Sequence, residues 1–208
     1  MKIALIDYGS GNLQSAYKAL ELTGKSKKSK IFITSKSKDL LKADKIVLPG
    51  VGTFSDCMNG LKSLPGMIDS LNEIVLQKKK PFLGICIGMQ LLATEGKEKG
   101  NHKGLGWIEG KVIKIKKHKQ IKIPHMGWNT VNTISKHPIL KTKKFESYFV
   151  HSYNFICKNK KNILATCDYK QKITAIVGKE NIIGTQIHQE KSQKIGLEIL
   201  KNFISWNY

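Results

Sequence analysis

Apolar and polar positions alternate along the chain in short blocks of two different periods. Residues 2–7 form a brief apolar run, and 12–22 repeats apolar side chains at helical steps through Leu13, Ala16, Tyr17 and Leu20. Residues 30–34 and 45–48 are further apolar runs of strand length. Helical spacing returns over 54–61 and 67–76, with Pro65-Gly66 marking the turn between them. Residues 81–85 predict another strand, and 88–94 a helix that continues from it. Strands this apolar, separated by helices, predict a mostly parallel sheet covered on both faces.

From Gly104 the pattern changes. Residues 107–115, 121–131, 148–153, 163–167, 173–177 and 182–185 are strand-like with few helices between them. The chain closes on an amphipathic helix over 190–206, where Ile195, Ile199, Leu200 and Phe203 recur at three- and four-residue steps. The sequence shows neither an internal repeat nor a dividing linker, so residues 1–208 are expected to form one α/β domain. Its sheet is open and mostly parallel, with an antiparallel extension from the second half.

Composition narrows the setting. A 40% hydrophobic fraction over 208 residues supports a buried core rather than a disordered chain. No apolar run is long enough to span a bilayer, so no membrane association is expected. The start turns acidic at Asp7, too soon for a secretory signal. Four cysteines, at 57, 86, 157 and 167, lack CxxC spacing, which predicts a reducing, cytoplasmic setting.

Lys and Arg number 36 against 15 Asp and Glu, a net charge of +21. Such a charge attracts polyanions, but the lysines fall in many short clusters beside strands and turns. Zinc-finger spacing, RNP-like strands and a basic zipper are all missing from the sequence, so a nucleic-acid partner is not expected. Solvated faces, or attraction of a phosphorylated small molecule or acidic partner, account for the charge. His118 and His125 flank a probable strand without metal-ligand spacing, and neither a metal nor a cofactor is expected.

Candidate chemistry begins at Gly84-Ile85-Cys86-Ile87-Gly88, where an apolar strand runs into a helix. Glycines on both sides of Cys86 permit a nucleophile elbow that presents the thiol at the helix start. The helix N-terminus favours the thiolate there, poised to attack a carbonyl carbon. A small buried hydrophobe is the alternative role for such a cysteine. His188 follows the strand over 182–185, and Glu190 stands two residues on. That pair suits an oriented proton carrier, although an exposed histidine before a helix-start glutamate would look the same. All three residues fall at strand carboxyl ends, where open α/β sheets bind ligands.

An oxyanion needs backbone donors, and Pro49-Gly50-Val51-Gly52, between a strand and a helix, either supplies them or is a plain βα turn. The early Gly9-Ser10-Gly11 turn is a poor dinucleotide fingerprint, because Gln14 takes the place of the third glycine.

These motifs, with Asp7-Tyr8-Gly9-Ser10-Gly11-Asn12-Leu13, Pro124-His125-Met126-Gly127-Trp128-Asn129 and Tyr148-Phe149-Val150-His151-Ser152-Tyr153, occur in one order over nearly the whole chain. As a set they resemble class I (triad-type) glutamine amidotransferases. More narrowly they resemble the glutaminase subunits of imidazole glycerol phosphate synthases. The resemblance implies a flavodoxin-like fold and a Cys86–His188–Glu190 triad that hydrolyses glutamine to glutamate and ammonia. It implies an oxyanion site at Gly50, Val51 and Gly52, and a glutamine cradle of Gly52, Gln90, His151, Ser152 and Tyr153. Asn12, Trp128, Tyr148 and Lys191 match positions facing a (β/α)8-barrel synthase subunit, which receives the ammonia for histidine biosynthesis within a heterodimer. Paralogues feeding a related barrel in surface-polysaccharide synthesis share the triad, and a non-catalytic basic α/β binding module is the rival outside enzymes.

Two residues depart from the family pattern. Gln189 replaces a proline and is expected to loosen the turn between His188 and Glu190. Ser10 replaces another proline, with a local effect expected.

Overall fold

The computed structural model describes residues 1–10 and 12–208; Gly11, part of the first motif, lies outside the described residues. The first half alternates β1 (Lys2–Ile6), α1 (Leu13–Gly24), β2 (Lys30–Thr34), β3 (Lys45–Leu48), α2 (Phe54–Ser63), α3 (Met67–Leu71), β4 (Phe82–Ile85) and α4 (Ile87–Gln90). The later elements are β5 (Glu95–Gly96), β6 (His102–Lys103), β7 (Gly110–Lys114), β8 (His125–Thr133), β9 (Lys144–His151), β10 (Tyr153–Cys157), β11 (Ile163–Asp168), β12 (Lys172–Lys179), β13 (Ile182–Thr185) and α5 (Gln193–Ser205).

Nine strands form one sheet in the order β2-β1-β3-β4-β13-β12-β11-β8-β9. Neighbours from β2 to β13 run parallel, and those from β13 to β9 antiparallel. The chain leaves β1 toward β2 on one side and later advances from β3 to β4 on the other. With right-handed crossovers, that reversal sends α1 and the α2–α3 pair to opposite faces. It also opens a crevice at the carboxyl ends of β1 and β3, the switch point where such sheets hold ligands. The expected fold class, an open mostly parallel α/β sheet with an antiparallel extension, is observed.

The central strands are apolar because both faces are covered. Every residue of β3, β4 and β13 is buried. Even Lys45 of β3 is inside, where its ammonium donates to the Trp206 carbonyl and anchors the end of α5.

Three expectations need correction. Residues 148–153 do not form one strand. They split at Ser152 between β9 of the large sheet and β10 of a second sheet ordered β10-β7-β5-β6. The predicted helix over 88–94 ends at Gln90, because Leu105, Ile108 and Gly106 donate to the carbonyls of Leu91, Leu92 and Ala93 and replace the helical ladder. The final helix begins at Gln193 rather than at Glu190, which sits in a single 3-10 turn, Gln189–Lys191.

Candidate active site

Cys86 links β4 to α4 with φ 54° and ψ −110°, a conformation that an L side chain adopts only under constraint. The constraint is close packing without side chains. A Cβ on Gly88 would stand 1.9 Å from the Leu48 carbonyl oxygen, and one on Gly84 would stand 2.4 Å from that of Gly88. Only glycine lets the β3 and β4 ends approach the elbow so closely. The Cys86 amide donates to the Thr185 carbonyl at 2.7 Å, which ties the elbow to β13.

That tie fixes what faces the sulfur. Gln186, the next residue after Thr185, donates through Nε2 to Cys86 Sγ at 3.6 Å and accepts from Gln90 Nε2 at 2.8 Å. Two residues further, His188 lines the same cleft as Cys86 and shares a 2.9 Å contact with Glu190 through Nδ1. The two partners sit deep, with side chains only 10% and 11% exposed. Burial opposes a charged ring at His188, but hydrogen bonds and charge from Cys86 and Glu190 outweigh it and raise the imidazole to about 10. Glu190 behaves reciprocally. Burial pushes its carboxyl up, and the His188 contact more than reverses this, leaving it below the ordinary range.

The backbone holds this histidine as firmly. Its amide donates to the Tyr148 carbonyl at 3.1 Å, and its carbonyl accepts from Ser192 Oγ at 2.7 Å. Gln189 is buried and donates to Thr185 Oγ1, so the turn expected to be loosened is braced by its own side chain.

The loop after β3 lies directly against the elbow, and three successive carbonyls are engaged. Tyr8 Oη donates to Pro49 O at 2.6 Å, the Ile87 amide to Gly50 O at 3.3 Å, and Ser10 Oγ to Val51 O at 2.5 Å. The Ile87 N–H, immediately after the nucleophile, is the natural oxyanion donor of such an elbow. Here Gly50 meets it with a carbonyl. The loop exits through Gly52 at φ 118° into α2, whose first amides are capped by Glu98 Oε2 at 2.8 Å and Thr53 Oγ1 at 3.2 Å.

A cleft of about 430 Å³ opens over these groups. Cys86, His188, Glu190, Val51, Gly52 and Gln90 line it, and residues 151–153 form a further wall. Asn12 and Lys191, expected at an interface, stand in the same cleft. Gly50 packs beneath it, where an added Cβ would meet Gly88 N and Tyr8 Oη at 2.8 Å. Trp128 and Tyr148 lie outside the cleft as register partners on β8 and β9, with rings 6.0 Å apart. The Lys191 ammonium sits 5.7 Å over the Tyr148 ring, which joins that aromatic pair to the cleft.

Sequence reasoning missed Gln186 and Glu98. Gln186 hides in an apolar strand-like run, where its one signal is an amide at a position that must be buried. The Ile115 amide, just past β7, braces the turn between β9 and β10 by donating to Ser152 O at 2.9 Å. Among the described residues, no cluster of three or more His, Cys, Asp or Glu could hold a metal, and no helix is long and apolar enough to cross a membrane. All four cysteines are unpaired and buried.

A thiol at a strained strand–helix elbow, an imidazole charged by a carboxylate and a cleft over both define a thiol-dependent acyl-transfer enzyme. Residues 4–206 match the family described as Glutamine amidotransferase class-I, and the chain belongs to it. It is 47% identical to the "Imidazole glycerol phosphate synthase subunit HisH" of Rhodopseudomonas palustris, with 99% of each chain covered. It is 48% identical to the protein of that name in Zymomonas mobilis, covering 99% of this chain and 96% of the relative. Among solved structures, one described as a glutamine amidotransferase superposes with a TM-score of 0.73 at 16% identity, over 96% of this chain and 98% of the other. PurLQS from Thermotoga maritima gives 0.68 at 20% identity, over 98% of this chain and 95% of the other. At that identity these two likenesses bear on the fold.

Proposed function

We propose that the chain is the glutaminase subunit of an imidazole glycerol phosphate synthase and that residues 1–208 act as one amidotransferase domain. Cys86 Sγ attacks the side-chain carbonyl carbon of glutamine, and the C–N bond of the tetrahedral adduct breaks. His188 delivers its proton to the departing nitrogen, leaving ammonia and a γ-glutamyl thioester. Water, deprotonated by the now neutral His188, attacks that thioester, and the C–S bond breaks to release glutamate, returning the free Cys86 sulfur beside a recharged His188. Glu190 fixes the ring through Nδ1 and favours its charged form.

Oxyanion stabilisation requires the Ile87 N–H to be free, so the Gly50 carbonyl must first turn away, presenting donors from residues 50–52 instead. Gly52, Gln90 and residues 151–153 hold the substrate. Ammonia is mostly protonated near neutral pH and would diffuse away, so it passes directly into a (β/α)8-barrel partner against Asn12, Trp128, Tyr148 and Lys191. There it meets a phosphorylated ribulosyl nucleotide and gives imidazole glycerol phosphate and an aminoimidazole carboxamide ribotide. The pair works as a cytoplasmic heterodimer in histidine biosynthesis.

The observation that carries the reading is the convergence of Cys86, His188 and Glu190 in one cleft beyond the carboxyl ends of β4 and β13. Full-length relatives 47–48% identical and named as that synthase subunit support the choice over the polysaccharide paralogue. The test is product formation by the chain mixed with its cognate barrel. Cys86→Ala should abolish glutamine-driven synthesis while ammonium still drives it at the wild-type rate. Glutamine-driven synthesis that survives Cys86→Ala overturns the reading.

A further inference from the structure

Two buried histidines stand next to the cleft and take no part in the triad. His125 opens β8 and His151 closes β9, directly opposite each other in register, at 2% and 5% exposure. Their hydrogen bonds run in one direction only. The Asn129 amide is oriented at both ends, since its Oδ1 accepts from the Thr130 N–H at 2.7 Å and its Nδ2 donates to Asp168 O at 2.8 Å. The second hydrogen on Nδ2 points to His125 Nε2 at 3.1 Å, so that nitrogen is an acceptor and carries no proton. His125 must therefore be protonated on Nδ1, which meets His151 Nε2 at 2.9 Å. That in turn makes His151 Nε2 an acceptor and puts its proton on Nδ1, which donates to the Tyr153 carbonyl at 2.7 Å.

Every ring nitrogen is used, and both rings are neutral. Burial acts in the same sense, holding His125 down to about 4 and His151 to about 3. The His125 ring cannot turn over, because Phe149 stacks on it at 4.6 Å and Tyr169 at 4.0 Å between centroids. Although His151 lines the cleft, it has no nitrogen left with which to move a proton.

We propose that Asn129, His125 and His151 form a one-way hydrogen-bond chain that sets the Tyr153 carbonyl, and with it the wall at residues 151–153, in the orientation that binds glutamine. This rests on the glutaminase reading above. The wall needs such a brace because the strand breaks at Ser152 and leaves the ladder of the large sheet. The Ile115 amide holds Ser152 O from the small sheet, and His151 holds Tyr153 O from the large one. His125 and Asn129 are thus positioning residues that never touch substrate.

The test uses the complex with the barrel partner and two variants. His125→Phe keeps a ring between Phe149 and Tyr169 but removes the donor to His151. His125→Asn returns a donor near the Nδ1 position. The KM for glutamine should rise about tenfold in H125F, the cost of one broken buried hydrogen bond, with kcat within about threefold of wild type. H125N should recover most of the lost affinity. In the wild type, nitrogen-15 NMR should show both rings neutral and protonated on Nδ1, and H125F should release His151 from that tautomer. An Nε2 proton on either ring overturns the chain, as does a folded H125F with unchanged KM or an H125N no better than H125F. Should H125F fail to fold, H125N kinetics and the wild-type tautomers decide. A wild-type complex that releases no glutamate defeats the glutaminase reading instead, while the tautomers still test the chain.

Discussion

Replacing Glu190 by glutamine tests whether the carboxylate charges His188 or merely holds it. The amide keeps the shape and can still accept from Nδ1, so only the charge is lost. Raising an imidazole from 6.5 to about 10 corresponds to about 5 kcal/mol in favour of the charged ring, at about 1.4 kcal/mol per tenfold change in proton affinity. Burial opposes that rise, so the gross contributions of Cys86 and Glu190 exceed it; the loss of one adjacent opposite charge, as in E190Q, removes ~2–3 kcal/mol. The His188 midpoint in E190Q should fall to about 8, read from the ring carbon and nitrogen shifts by NMR titration. The alkaline limb of glutamine kcat/KM should move with it. Stability follows the same sign. A raised imidazole stabilises the fold fully below 6.5, and that contribution fades as pH climbs through about 10. Wild type should therefore melt about 4–12 °C above E190Q near pH 6, with the gap closing toward pH 10. A His188 midpoint that stays near 10 in E190Q would refute the assignment of charge to Glu190.

Two other substitutions probe the scaffold around the sulfur. Gly88→Ala would set a Cβ 1.9 Å from Leu48 O, so backbone must move, at a cost of about 1–3 kcal/mol or more; calorimetry should show a fall in Tm of several degrees and loss of glutaminase activity, and an unchanged Tm would contradict the packing. Ser10→Ala frees the Val51 carbonyl from a bond worth about 0.5–1.5 kcal/mol, so glutamine hydrolysis without the barrel should rise roughly two- to tenfold; a lower or equal basal rate would mean that Ser10 does not restrain the loop.

Local pattern carried the parallel half of the fold because its central strands, β3, β4 and β13, are buried along their whole length. The run over 182–185 is read from sequence with the bounds the structure gives, and the elbow glycines are legible because no side chain fits beside Leu48 O. The antiparallel half was harder. His151 pairs with His125 on β8, while Tyr153, two residues on, pairs with Lys114 on β7. Nothing in the alternation over 148–153 reveals that its ends belong to different sheets. The shortened α4 has the same origin, since its missing helical bonds are taken by residues 105–108 from a distant loop. Gln186 escaped notice for a related reason: its partners, Gln90 and Cys86, are about a hundred positions away.

The geometry of the triad depends on one strand more than on any catalytic side chain. β13 pairs parallel with β4, Thr185 opposite Ile85, and antiparallel with β12, Thr185 opposite Ile176. Cys86 and Gln186 each follow one member of the first pair, so strand register alone brings the sulfur and its amide donor side by side. A slip of one residue would displace His188 by about 3.3 Å and turn the β13 side chains to the wrong faces. Both faces forbid it. All four β13 residues are buried, and a Cβ on Gly184 would already meet Met89 Cγ of α4 at 2.8 Å. The strand that places His188 and Gln186 beside the elbow is also the seam between the parallel half, which carries Cys86, and the antiparallel half, which carries the 151–153 wall. On the proposed roles, one register places Cys86, His188 and the 151–153 wall, and the loop over residues 49–52 is the remaining part whose backbone must turn before attack.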